Sequence, residues 1–137
     1  MRTIHVNPGT VAAPMGPYSH AVRTETADAT WIHVAGQIAL DAEGNLVGPG
    51  DLAAQAEQVF ANLGAILESN GAAFGDVVKI QTFATSLEDL AAVREVAARH
   101  LAPEPPASTL VHVVGLVRPE AMIEVDLVAV IPLSRSS

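Results

Sequence analysis

The residues of this chain that could do chemistry are few, and most sit in strand-like stretches. In PASTLVHVVG, residues 106 to 115, two-residue alternation puts Thr109, Val111 and Val113 on one face and Ser108, Leu110, His112 and Val114 on the other. In MIEVDLVAVI, residues 122 to 131, an apolar row of Ile123, Val125, Leu127 and Ala129 opposes Met122, Glu124, Asp126 and Val128. WIHVAGQI, residues 31 to 38, sets Ile32 and Val34 against Trp31, His33, Ala35 and Gln37. A second sheet face carrying His33, His112, Glu124 and Asp126 among apolar neighbours is too apolar to be bathed in solvent. A carboxylate there is either paired or put to use, because burying it alone is costly. Put to use, Glu124 can orient or deprotonate a water molecule.

Other chemistries fail on residue type or spacing. No HxH, HExxH or Cys/His pattern occurs, so no metal site is expected. GPG at 48 to 50 precedes a helical stretch but has neither the preceding strand nor the lysine of a phosphate-binding loop. The absence of cysteine removes disulfides, thiol nucleophiles and thiolate ligands. No cofactor is expected.

The elements that must position these residues are legible as periodicity. DLAAQAEQVFANLGAILESN, residues 51 to 70, places Leu52, Ala56, Val59, Leu63 and Ile66 at helical spacing, with Asp51 as N-cap and Gly71 as stop. A second helix is expected over 87 to 101, opened by Ser86 with Asp89 in a capping-box arrangement and buried through Leu90, Val93, Ala97 and Leu101. Strands are expected at 2 to 6, 19 to 24, 31 to 38, 77 to 85, 106 to 115 and 122 to 131. The order is β, β, β, α, β, α, β, β. Two helices cover one face of such a sheet, which leaves the second face for another subunit, and convergent polar groups are common where subunits meet.

Composition bounds the function. A chain of 137 residues, half of them hydrophobic, fits one domain spanning 1 to 137. Seven basic against fifteen acidic residues give a net charge of −8, with no basic stripe, so no nucleic-acid partner is expected. No segment reaches the roughly 18 to 20 uninterrupted apolar residues of a membrane span, and MRTIHVNPGT lacks a signal peptide's apolar core. A cytoplasmic protein without a membrane partner is expected.

Five stretches in the same order resemble one family: GPYSHAV at 16 to 22, VAGQIAL at 34 to 40, DLAAQAEQVFANL at 51 to 63, DVVKIQTFATSLEDL at 76 to 90 and IEVDLVAV at 123 to 130. The chain resembles the RidA (YjgF) family over nearly its whole length. That resemblance implies an α+β, chorismate-mutase-like fold with two helices on one face of a mixed sheet. It also implies a homotrimer with three small-molecule clefts between subunits. The activity implied is hydrolysis or deamination of reactive imines and enamines. The family's cleft tyrosine falls on Tyr18 and its water-positioning carboxylate on Glu124. Ala35 stands where the family has a serine, beside Gly36. Ser108 stands where it has the arginine that grips a substrate carboxylate, Leu110 where it has a cysteine, and Arg94 where it commonly has asparagine. His112, on the strand of Ser108, is a further candidate contact. The lost arginine points to a substrate other than the standard 2-imino acids, or to a binding module without turnover.

Overall fold

The structure, a computed structural model, describes residues 1–132. Strands β1 (Arg2–Val6), β2 (Ala21–Glu25) and β3 (Ala29–Gln37) precede helix α1 (Leu52–Ser69). Strand β4 (Val77–Ala84), helix α2 (Leu90–Leu101), β5 (Ala107–His112) and β6 (Ile123–Pro132) follow. The six strands form one sheet in the order β1-β2-β3-β6-β4-β5, with β4 and β5 parallel through the α2 crossover and every other pair antiparallel. This is the expected α+β mixed sheet, its strand ends shifted by a few residues from the sequence limits.

Helix α1 starts where the sequence places it. Asp51 accepts a hydrogen bond from the Ala54 backbone N–H at 3.0 Å, and Gly71 takes the left-handed φ of +73° that ends the run. All five expected stripe residues are buried. Helix α2 departs from expectation: it opens at Leu90, and the Ser86–Asp89 capping box does not form. Ser86 Oγ instead accepts from the Glu88 N–H at 3.1 Å, closing a turn, while Asp89 sits in the left-handed region without capping the helix. Its buried residues are Val93 and Val96, with Leu90, Ala97 and Leu101 half-buried.

β6 is the spine. Ile123, Val125, Leu127, Ala129 and Ile131 are at most 1% exposed and pack with Ile32 and Ile80 against Val59, Phe60, Leu63, Ile66 and Leu67 of α1. Its alternate residues Glu124, Asp126, Val128 and Val130 look onto the face that no helix covers. Register carries that face outward through Gln81 and Phe83 of β4, then Thr109 and Val111 of β5, and on the other side through Trp31 and His33 of β3.

Two corrections follow from register. Ser108, Leu110 and His112 pair with Ile80, Thr82 and Ala84, which point to the helices, so His112 does not share a face with His33, Glu124 and Asp126. Alternation groups residues within one strand, whereas register decides which group faces the core. The second correction is in β3. Val34 pairs with Leu127 and Gln37 with Val125, so two residues of β3, Ala35 and Gly36, stand opposite one of β6, Asp126. This bulge turns Gln37 inward, where it is 8% exposed, and breaks its expected alignment with Trp31 and His33.

Candidate functional site

Glu124 projects from β6 over the β3 bulge. A Cβ built on Gly36 would lie 2.1 Å from Glu124 Oε2 and 2.9 Å from its Cδ, so only glycine lets the carboxylate lie against the strand. Tyr18, Ala35, Gly36 and Glu124 line one cleft of about 380 Å³ with an apolar rim from Met15 and Val117. Tyr18 is 44% exposed, and its hydroxyl accepts from the Met15 N–H at 3.2 Å. The loop that carries it is pinned by His20, which is buried. The His20 backbone N–H donates to Asn7 Oδ1 at 2.9 Å, and its Nε2 lies 2.7 Å from the Ala12 carbonyl.

Two buried amides that the sequence reading passed over hold this cleft in shape. Gln55 of α1 donates to the Gly48 and Glu120 carbonyls at 3.1 and 3.0 Å and accepts from the Met122 N–H at 2.8 Å, two residues before Glu124. Asn62 donates to the Ile38 and Leu40 carbonyls at 3.3 and 2.9 Å, fixing the chain beyond the bulge. The signal was available: both amides sit on the apolar stripe of α1, where a polar side chain needs partners.

The electrostatics of the open face centre on two carboxylates. Burial raises the proton affinity of Glu124 above the usual carboxylate range, and the Asp126 charge raises it further. Burial also raises that of Asp126, opposed by the Lys79 ammonium. The Gln81 amide, with its nitrogen toward Asp126, donates to both carboxylate oxygens at 3.2 and 3.3 Å. Lys79 donates to Thr109 Oγ1 at 2.7 Å. His33 lies farther along this face in a shallow cleft with His5 and Ser19.

The remaining candidates gather elsewhere. Arg94 and Ser108 line a second cavity of about 330 Å³ on the helix side, with apolar walls from Ile80, Ala97, Leu101 and Pro106. Among the described residues the Arg94 guanidinium has no ion-pair partner. Leu110 is half-buried opposite Thr82, and His112 Nε2 lies 3.0 Å from the Thr85 carbonyl. Within the chain, therefore, Tyr18, Ala35, Gly36 and Glu124 come together, while Arg94, Ser108, Leu110 and His112 stand across the sheet from them. Among the described residues no group of three or more metal-ligating side chains converges, and no helix is long and apolar enough to cross a membrane.

A mixed sheet backed by two helices, with a carboxylate seated on a strand bulge in a small cleft, defines an α+β protein with a cleft on the open face of its sheet. The family model described as Endoribonuclease L-PSP matches residues 9–131. The chain belongs to that family, which includes the RidA proteins. It is 40% identical over 116 residues to Protein DfrA of Myxococcus xanthus, covering 85% of this chain and 86% of that one. It is 31% identical over 118 residues to the 2-iminobutanoate/2-iminopropanoate deaminase of Mus musculus, covering 86% and 84%. The crystal structure of RidA from a Psychrobacter species superposes with a TM-score of 0.83 at 31% identity, covering 93% of this chain and 99% of that one.

Proposed function

We propose that this protein hydrolyses a reactive imine or enamine to a carbonyl compound and ammonia, in clefts completed between the subunits of a homotrimer. The observation that carries the reading is Glu124: a half-buried carboxylate, set over Gly36 and beside Tyr18, in a cleft with room for a small organic molecule. The name of the murine relative, an iminobutanoate and iminopropanoate deaminase, supports the same class of reaction. In the step proposed, water adds to the C=N carbon while Glu124 relays a proton between the water and the nitrogen. The hydroxyl proton of the resulting carbinolamine passes to the departing nitrogen as the C–N bond breaks, leaving C=O and NH₃.

The opposite placement of the two candidate clusters fits a cleft shared by neighbours. One subunit supplies Tyr18 and Glu124; the next supplies Arg94 and Ser108. With serine where the family has arginine, the two-pronged grip on a carboxylate is replaced by one neutral hydroxyl and by a cation approaching from α2. The substrate on this reading is bulkier and less dependent on a carboxylate clamp than 2-iminopropanoate. A second reading, a trimeric metabolite-binding module without turnover, is favoured by one observation: Ala35 and Ser108 each lack a polar group that the family uses. A ribonuclease role suits neither the net charge of −8 nor the scattered basic residues.

Ammonia release from imines generated in situ by an amino-acid oxidase decides between these. Turnover lost in Glu124→Gln is the result expected of a hydrolase. No acceleration with imines derived from any of a range of aliphatic and aromatic amino acids contradicts it.

A further inference from the structure

Asp126 does not line the cleft of Tyr18 and Glu124, yet it lies beside Glu124 on the same face of β6. The two are alternate residues of β6 on the open face, about 7 Å apart along the strand. Burial raises the proton affinity of Asp126 as well, but Asp126 has partners that favour its anion. The Gln81 amide donates to both of its oxygens, and Lys79, held by Thr109, adds a nearby positive charge. Glu124 has no such help: among the described residues none donates it a hydrogen bond. Its register partner on β4 is Phe83, and β3 presents Ala35 and Gly36. The titratable or charged groups on this face around the pair are Tyr18 from the loop, Lys79 from β4 and His33 from β3, the last two both paired with Val128.

We propose that Asp126 is a positioning residue: its fixed anion keeps Glu124 carrying the proton that the substrate nitrogen takes. This inference rests on the hydrolase reading. In the step it adds, the Glu124 carboxylic acid protonates the imine nitrogen to give an iminium ion, and the carboxylate so formed accepts the proton of the attacking water. The acid is thereby regenerated as the C–O bond forms. Two like charges on one sheet face repel, so the pair gives up its last proton less readily than an isolated carboxylate does, and that proton stays on the member without donors, Glu124.

The test reads the Glu124 titration by carboxyl-carbon NMR, assigned by its loss in Glu124→Gln, together with the pH profile of ammonia release. In Asp126→Asn the Glu124 midpoint and the limb of the pH profile that it sets both move to lower pH. In Asp126→Glu both stay near their original positions. Lys79→Met, which removes a cation and leaves the pair intact, moves the midpoint to higher pH and keeps the test open should Asp126→Asn not fold. A merely structural Asp126 would alter stability without moving either midpoint, and an unmoved midpoint in Asp126→Asn or Lys79→Met overturns the inference while leaving the hydrolase reading standing. Absence of ammonia release by the unmodified protein from any of the imines overturns the hydrolase reading instead, and the NMR titration needs no substrate.

Discussion

At the scale of the residue, Glu124 is held against the interest of stability. Its proton affinity is raised in the folded chain, so folding favours the acid form. The fold is then weakened as pH rises from the ordinary value of 4.5 through the raised folded value, and the full effect is present above it. Glu124→Gln removes the charge that is left desolvated once Glu124 ionises and is expected to raise the thermal midpoint by about 2 to 5 °C at a pH above the Glu124 midpoint, the gap closing as pH falls toward 4. Calorimetry across that range checks it; a variant less stable than the parent above the Glu124 midpoint would contradict it. Gly36→Ala tests the seat of the same carboxylate. The clash falls on the flexible end of the Glu124 side chain, so the protein should fold with little loss of stability. Displacing the carboxylate should still lower kcat about tenfold or more.

At the scale of the element, what was legible followed from period and what was not followed from pairing. The α1 stripe from Leu52 to Ile66, the Asp51 cap and the two rows of β6 are consequences of local geometry, and all appear in the structure. The Ser86 capping box failed because Ser86 found a nearer donor in Glu88, a competition that spacing alone does not rank. The face assignment of Ser108 and His112 failed because it depends on how β5 registers with β4, whose paired residues lie 28 positions earlier in the chain. The bulge at Ala35 and Gly36, which makes the seat for Glu124, is likewise a property of the β3–β6 pair. Gln55 joins α1 to the start of β6, and its loss should matter more than its distance from the cleft suggests. Gln55→Leu strands the Met122 N–H and the Glu120 carbonyl without their partner and should lower stability by about 2 to 4 kcal/mol in urea unfolding. A change below about 1 kcal/mol would show that water or a neighbouring group replaces the amide.

At the scale of the whole molecule, the uncovered sheet face and the divided site call for the same partner, another copy of the chain. Trp31 and Val111, 42% and 40% exposed, lie on a face with Phe83, Val128 and Val130, more apolar surface than a lone subunit of this size is expected to leave in water. Light scattering at micromolar concentration should report a trimer, about three times the 14.2 kDa chain mass. The divided site makes a sharper demand, because a cleft shared by neighbours can be rebuilt from two defective subunits. Glu124→Gln spoils one half of every cleft and Arg94→Glu the other, so each variant alone should release little ammonia from imines. Co-expressed in equal amounts, they should form mixed trimers in which about a quarter of the clefts have both halves intact, given random cyclic assembly. Recovery of about a quarter of the unmodified activity is the predicted result; a mixture as inactive as its two parents would contradict the shared cleft.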